Sequence, residues 1–460
     1  MKWVDIPLSN IKRMAMTAGP EWKHILLFSL PIMAGNLLQQ LYNTVDGIVV
    51  GNFVSQNALA ATGTAGTLAF IFLAFAMGFG NGSGIMIAQF FGAERYEDMR
   101  SAVSTALILL VGMGLVFSVT ACVFARPLLH SLMNVAEGEI LEYAVDYFSV
   151  YAVGIFLQFL YNSVSAILRA VGDSKATLYF LLVSSVLNLV LDVLFVVVFH
   201  WGITGAAVAT VISQLGSALV SVWYMFKKYP IFRFARGEFS FHRDKCLLCL
   251  KLGIPTTIQQ SIVSFGHVFI QRLVNSFGEA AMAAFSVGGR IESYMFVPTI
   301  GLNTAMANFS AQNVGAGKFD RVRRGCRATL AMAFGAAVTI QILLYIFARP
   351  VSGFFGVGGE ALELSVSYLR FMCLVFWFFS LYMVFAGLLQ GAGDVIVTTA
   401  CSLIALTVRV TTAYILAPLL PVGVSAAWLT MPIGWLFAFS ISFWRYLSGK
   451  WKEKGIVKHG

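Results

Sequence analysis

Apolar stretches long enough to span a lipid bilayer follow one another along the whole chain, separated by short polar breaks. Twelve are distinguishable, at residues 24–52, 58–91, 101–124, 139–168, 174–199, 203–226, 247–274, 280–312, 325–348, 362–390, 394–417 and 422–447. A helix of about 20 apolar residues crosses the hydrocarbon core, and there every backbone amide must be satisfied inside its own segment or barrel. Composition agrees. Of 460 residues 58% are hydrophobic and only 11% charged, with a mean hydropathy of +0.81, where a soluble domain carries roughly a quarter charged residues. The fold class expected is therefore an all-α integral membrane protein of twelve transmembrane helices. Several stretches exceed 25 residues, which predicts tilt, kinks or broken helices. The first apolar run is long enough to stay as a helix behind its basic, amphipathic N-terminus, so no cleavable signal peptide is expected.

Lysine and arginine set the expected orientation. One set of loops holds Arg95, Arg100, Arg169, Lys175, the run Lys227 to Lys251, and Lys318 to Arg327, and both termini are basic; the opposite set holds only Arg126 and Arg349. Both termini are expected in the cytoplasm, which fits an even number of spans. The net charge of +10 follows from this asymmetry and implies contact with anionic inner-leaflet lipids, not nucleic acid.

The chain also repeats itself with a period near 222 residues. Phe-Ala-Arg-Pro occurs at Phe124–Pro127 and at Phe347–Pro350. Ala88-Gln89-Phe90-Phe91-Gly92-Ala93 returns as Ala311-Gln312-Asn313-Val314-Gly315-Ala316, Ile167–Asp173 as Leu388–Asp394, and Pro31 as Pro255. Each half holds six apolar stretches, so the halves share one membrane orientation, as in transporters built from parallel repeats. The expected organisation is a cytoplasmic segment 1–23, a first six-helix lobe 24–226, a cytoplasmic linker 227–246 read as an amphipathic segment on the inner surface, a second lobe 247–447 and a cytoplasmic tail 448–460.

Several motifs carry no chemistry. Cys246 and Cys249 lie three apart on one helix face, with no second pair and no histidine cluster. The glycines of Gly78-Phe79-Gly80-Asn81-Gly82-Ser83-Gly84 lack a following Lys-Ser/Thr and sit in an apolar run, so they read as close helix packing or local unwinding, not a phosphate loop. With no nucleotide motif, ATP-driven pumping is not expected, and any transport draws on an ion gradient. Gly172-Asp173 and Gly393-Asp394 read as a left-handed helix end followed by an N-cap. No HExxH or GxSxG and no acid–histidine pair in a membrane span supports an enzyme.

The informative groups are acids where acids are costly. Asp46 is the only charge between Lys23 and Glu94, and Asp192 the only one between Lys175 and Lys227. A carboxylate at mid-membrane costs at least ~2.5–3.5 kcal/mol. Gln39, Tyr42 and Asp46 share a helix face, and Ser184, Ser185, Asn188 and Asp192 form a polar stripe on another helix. Gln158 and Asn162 lie one turn apart, with Tyr147 at the outer end of that helix, and Gly202–Thr210 supplies small residues and a hydroxyl. Two carboxylates, an amide oxygen and a hydroxyl are hard ligands suited to Na⁺; the same pair can instead hold a proton. In the second half Ile270 aligns with Asp46, Ala413 with Asp192 and Arg409 with Asn188, so cation chemistry belongs to the first half. The second half carries His267, Arg272, Arg290, Glu292 and Arg409, among which Glu292 and an arginine form a plausible pair.

In sequence order, Pro31, Tyr42–Asn52, the Ala88–Ala93 loop and its repeat, Leu168–Asp173 with Gln390–Asp394, and Asn188–Asp192 followed by Gly202–Thr210 make the chain similar to the MATE (multidrug and toxic compound extrusion) transporters, over nearly all twelve stretches. The acids concentrated in the first half resemble the DinF-like branch. The branch with acids in the seventh and tenth helices is not matched, since Gln259, Gln260 and Ser380 lie there. The resemblance implies a V-shaped pair of six-helix lobes in the cytoplasmic membrane of a prokaryote, acting as a monomer. It implies alternating-access antiport of amphipathic, often cationic organic compounds against inward H⁺ or Na⁺, with no cofactor beyond the coupling ion. It assigns Asp46, Asn188, Asp192 and Thr210 to the coupling cation, Na⁺ included, and Gln39, Tyr42, Tyr147 and Asn162 to the drug pocket. Pro31 matches the proline at which the first helix bends. The alternative is a flippase of lipids or lipid-linked oligosaccharides with a related fold, for which Arg272, Arg290 and Arg409 would supply a cationic pocket.

Overall fold

The computed structural model describes residues 15–133, 137–235, 237–419 and 423–458. Among them the chain is helical throughout: α1 (Glu21–Phe53), α2 (Gln56–Gly92), α3 (Tyr96–Val123), α4 (Glu139–Val153), α5 (Ile155–Ala170), α6 (Ser174–Asp192), α7 (Gly202–Lys228), α8 (Arg243–Asn275), α9 (Glu279–Gly315), α10 (Phe319–Phe354), α11 (Gly359–Gly391), α12 (Val395–Leu419), a single turn α13 (Ala426–Leu429) and α14 (Met431–Leu447). Nine helices are long and apolar enough to cross a membrane among the described residues. They become ten when α4 and α5, bent by 47°, count as one broken span. The sequence expectation of twelve is not met by this measure: α8 and α9 fall outside it. α9 carries Arg290 and Glu292 within its length, and α8, uncharged between Lys251 and Arg272, is made polar there by Thr256, Thr257, Gln259, Gln260 and His267. The helices are apolar outward. On α6 the exposed residues include Leu182, Val186, Leu189 and Val190, whereas Asn188 and Asp192 are buried. That is the reverse of a soluble amphipathic helix and suits a hydrocarbon solvent.

The helices form two compact units. The first comprises residues 34–257, and the second residues 16–33 and 258–458. The division falls inside α1 and α8, in each case two residues beyond a proline (Pro31, Pro255), not in the loop between α7 and α8. Each of these helices thus begins in one unit and ends in the other. In the first unit α4 and α5 pack on α2 and α3, and α6 pairs with α7; in the second, α11 packs on α9 and α10, and α12 pairs with α14. The repeat seen in the sequence is thus a repeat of packing.

Ion pairs repeat with it. Arg126, from the first Phe-Ala-Arg-Pro, pairs with Glu142; Arg349, from the second, pairs with Glu363 at 2.5 Å. Asp173 N-caps α6 through Ala176 N (3.2 Å) and accepts from Lys228 Nζ (2.8 Å) and Tyr224 Oη (2.9 Å). Asp394 accepts from Arg445 Nε at 2.7 Å. Gly172 and Gly393 hold φ of 97° and 89°, a backbone region that glycine enters freely. The starts of α1 and α8 are pinned in matching fashion. In the second unit Glu21 faces Arg321 (3.3 Å) and Arg324 (2.9 Å); in the first unit Lys245 faces Asp98 at 2.6 Å.

The connection between α7 and α8 is not a free amphipathic strip. Tyr229, Ile231 and Phe232 are buried. Arg100 Nη1 donates to the Ile231 carbonyl, and its Nη2 to the Arg233 carbonyl (3.1 Å) and Glu238 (2.6 Å). The Ala235 amide and the Arg100 guanidinium hold the Glu238 carboxyl below the usual carboxylate range. The segment is part of the first unit's packing because it satisfies an arginine that α3 buries.

The glycine-rich run of α2 is a contact surface. A Cβ on Gly82 would lie 2.6 Å from Gly253 N, and one on Gly78 2.5 Å from Thr257 Cα; Thr256 Oγ1 donates to the Gly78 carbonyl at 2.7 Å. Small residues on both sides let the first half of α8 lie directly on α2. Gly82→Leu is therefore expected to destabilise the protein by about 1–3 kcal/mol through overpacking, read as a lower midpoint of thermal unfolding in detergent. Gly112→Ala, where a Cβ meets nothing within 4 Å, is expected to leave the midpoint unchanged or raise it.

Candidate functional site

The buried polar cluster of the first unit forms where four helices bring isolated polar residues to one place. α6 supplies Asn188 and Asp192, each 1% exposed. Directly after Asp192 the helix widens into a π turn, Val193–Val198, a feature often found at functional sites. α7 can approach because its first turns are built of Gly205, Ala206, Ala207 and Ala209. A Cβ on Gly205 would lie 3.2 Å from the Phe195 backbone. This brings Thr210 beside α6: Asn188 Nδ2 donates to Thr210 Oγ1 at 3.5 Å, and Thr210 Oγ1 donates to the Ala206 carbonyl at 3.0 Å. α1 supplies Tyr42 and Asp46.

The Asp46 and Asp192 carboxyl groups lie within hydrogen-bonding reach of each other. Tyr42 and Tyr147 both reach the Thr210 hydroxyl. Asp46 Oδ1, Asp192 Oδ1 and Asn188 Oδ1 are buried with no hydrogen-bond partner, and among the described residues no basic side chain forms an ion pair with either acid. Three unpartnered oxygen acceptors converge beside a hydroxyl. Leaving buried acceptors unmatched costs about 1–3 kcal/mol each, and a proton or a small cation is what such a group of oxygens lacks.

The bend at Gly154 shapes the wall. A Cβ there would lie 2.7 Å from Gln214 Oε1, so glycine lets α7 reach the break between α4 and α5. Tyr147 and Tyr151 stack with centroids 6.2 Å apart, and Gln158 Nε2 donates to Tyr151 Oη at 2.5 Å. Of the residues singled out in the sequence, Asp46, Asn188, Asp192 and Thr210 come together, with Tyr42 and Tyr147 against them. Asn162 is half-buried and its amide turns back to the Gln158 carbonyl at 2.9 Å. Gln39 is exposed, not drawn into the cluster. Pro31 lies within α1, which continues through it. Two residues join the cluster that the sequence reading did not include: Tyr151, one turn after Tyr147, and Gln214, one turn after Thr210. Helical spacing from residues already chosen was the available signal.

In the second unit Glu292 is buried and accepts from Tyr368 Oη at 2.5 Å. Arg409 faces the same acid. Arg272 and Arg290 are exposed, and the side chain of His267 lies outside the described residues.

Two repeated helical units, apolar outward, with a pair of acids brought together inside one of them, have the architecture of a membrane transporter. A family model described as MatE matches residues 31–194 and 255–415, and the chain belongs to that family, the multidrug and toxic compound extrusion transporters. It is 30% identical over 448 residues to "Probable multidrug resistance protein YpnP" of Bacillus subtilis (strain 168), covering 96% of this chain and 98% of the relative. It is 29% identical over 451 residues to "Probable multidrug resistance protein YoeA" of the same organism, covering 95% and 96%. Among solved structures it is similar to an outward-facing multidrug resistance MATE family transporter of the MOP superfamily, with a TM-score of 0.90 and 25% identity over 98% of this chain and 100% of that one.

The unpartnered acceptors give a stability prediction. In Asp192→Asn the new amide can donate to the orphaned oxygen of Asp46. In buffer free of Na⁺ this variant is expected to unfold above the wild type, by about 1–3 kcal/mol, in detergent thermal melts, although it lacks one of the two acids.

Proposed function

We propose that the protein is a secondary active multidrug exporter of the DinF-like branch, in which Asp46 and Asp192 hold the coupling cation and Asn188 and Thr210 complete its shell. The observation that carries this reading is the approach of two carboxyls, Asp192 buried and Asp46 half-buried with its Oδ1 out of solvent, that form no ion pair with a basic side chain among the described residues. Such a pair is stable in a membrane only when a proton or Na⁺ neutralises it in part. The coupling ion is written as H⁺ or Na⁺, since the same oxygens serve both. The paired acids Asp46 and Asp192 in the first unit, with Ile270 and Ala413 at the matching places in the second, support the branch.

The two units correspond on this reading to lobes 24–226 and 247–447 in a V-shaped molecule. All twelve apolar stretches cross the bilayer, α8 and α9 included: α8 has no charged residue between Lys251 and Arg272, and Glu292 of α9 is buried against Tyr368. The Lys/Arg distribution puts both termini in the cytoplasm of a prokaryotic cell. The names of the relatives speak of multidrug resistance, which supports small, amphipathic organic substrates. Gln39, Tyr42, Tyr147 and Asn162 line the drug pocket, the exposed Gln39 facing the side from which substrate arrives.

Cation binding draws Asp46 of α1 toward Asp192 of α6. Pro31 lacks the amide that would bond the Leu27 carbonyl, so α1 bends there most readily. The bend closes the pocket, and substrate leaves on the outer side. The lipid-linked flippase reading needs a free cationic pocket, whereas Arg409 faces an acid and Arg272 and Arg290 are apart from it.

The test is efflux of a fluorescent cationic dye from proteoliposomes under imposed Na⁺ or pH gradients. Asp46→Asn and Asp192→Asn are each expected to lower gradient-driven efflux at least tenfold, while dye binding in detergent falls far less. Undiminished driven efflux in Asp46→Asn would reject the assignment. The gradient that drives the wild type names the ion.

A further inference from the structure

The second unit contains a counterpart of the cation cluster that no ion needs to enter. Leu141-Glu142 to Tyr147 aligns with Leu362-Glu363 to Tyr368, and Gly205–Thr210 with Ser425–Thr430. Tyr147 therefore corresponds to Tyr368 and Thr210 to Thr430. The correspondence holds in the geometry. Thr430 Oγ1 donates to the Ala426 carbonyl at 3.2 Å, as Thr210 does to that of Ala206 at 3.0 Å. Where the first unit has Asp46 and Asp192, the second has Ile270 and Ala413, both fully buried in its apolar core with Tyr368. Where the first unit has Asn188, the second has Arg409.

The acid has not vanished from this cluster; it comes from another helix. Glu292 of α9 is 5% exposed and accepts from Tyr368 Oη at 2.5 Å. Tyr368 lies over Gly288, one turn before Glu292, where a side chain would collide with its ring. Arg409 of α12 faces Glu292. Its Nε and Nη2 are buried with no hydrogen-bond partner, and Gly434 of α14 leaves room beside its stem, a Cβ there falling 3.3 Å from Arg409 Cβ. One acid, one tyrosine and one arginine thus interact in the second unit, with the positive charge covalently attached and Thr430 at the position that corresponds to Thr210.

We propose that Arg409 is a tethered cation: its guanidinium occupies, in the second unit, a site of the kind that takes a mobile monovalent cation in the first, with Glu292 as its counter-charge. Each chain then has one open cation site and one that is permanently filled. This rests on the reading of Asp46 and Asp192 as the coupling site. It adds that the second unit retains a cation site, and that Arg409 is the residue which keeps it from exchanging with the gradient.

The experiment is ²²Na⁺ binding to full-length protein in detergent, together with thermal unfolding. Arg409→Gln is expected to bind one more Na⁺ per chain than the wild type, and Arg409→Gln/Glu292→Gln to return to the wild-type count. The unfolding midpoints should form a non-additive cycle, the double variant lying above the sum of the two singles. An unchanged Na⁺ count in Arg409→Gln overturns the proposal even if the cycle is non-additive, because the pair is then structural only. An extra Na⁺ that persists in the double variant overturns it as well. If Arg409→Gln does not survive purification, Arg409→Ala purified in ethylguanidinium carries the same test. Ethylguanidinium must raise its midpoint, and must not do so for Arg409→Ala/Glu292→Gln. Every count is a difference from the parent chain, and the series is repeated on Asp46→Asn/Asp192→Asn. A parent of that background that still binds the ion counts against the coupling site, not against the tethered cation.

Discussion

Two carboxyl groups within reach of one another inside an apolar bundle are the feature around which the first unit is arranged. Either acid alone is costly in a membrane, and like charges at close range add to the cost. Nothing basic among the described residues relieves them by an ion pair. The small residues that open α7, the glycine at the bend between α4 and α5, and the π turn that begins after Asp192 all act to let helices approach where they bring polar atoms together. A unit optimised for packing alone would put isoleucine and alanine at these places, as the second unit does at Ile270 and Ala413.

The ends of the helices obey different physics. There water is near, and charge is paired in the ordinary way, with the same pairs in each unit: Arg126 with Glu142 and Arg349 with Glu363, Asp173 with Tyr224 and Lys228, and Asp394 with Arg445. The exposed pairs, Arg126 with Glu142 and Arg349 with Glu363, contribute little each, while Asp173 and Asp394 are buried. The repetition of the pairs matters because it identifies which charges belong to the scaffold. The charges of the interior do not repeat, and the comparison of the two units separates architecture from chemistry without reference to any other protein.

Much of this was legible in the sequence for a simple reason. A charge in seventy apolar residues stands out, and a repeat of 222 residues aligns its own control beside it. The positions of Asp46, Asn188, Asp192 and Thr210 could be read because each lies on a helix whose other face is apolar. Periodicity gives a residue its face but not that face's surroundings, which is why Gln39 shares the face of Asp46 and yet is exposed. Tyr151 and Gln214 escaped because an aromatic or an amide in such a chain has many ordinary roles, and only the break at Gly154 brings them together. The connection from Tyr229 to His242 looked like a linker because it is basic. Its packing on α3 depends on a partner, Arg100, more than a hundred residues away. That Arg409 lies within electrostatic reach of Glu292 likewise depends on the pairing of helices, which no local pattern encodes.

The division of α1 and α8 between units gives the asymmetry a mechanical meaning. Each helix starts in one unit, pinned by an ion pair at its first turn, and ends in the other. Each has a proline two residues before the crossing, where a backbone hydrogen bond is missing and bending is cheapest. In α1 the far side of that proline carries Asp46, so neutralising one carboxylate changes the forces on a helix that both units share. In α8 the matching residue is Ile270, which has no charge to change. The two helices are alike in being divided between units beyond a proline and differ in that the acid of α1 has an isoleucine in its place in α8. On the proposed reading, an ion bound at Asp46 acts on α1 and has no counterpart at Ile270 of α8.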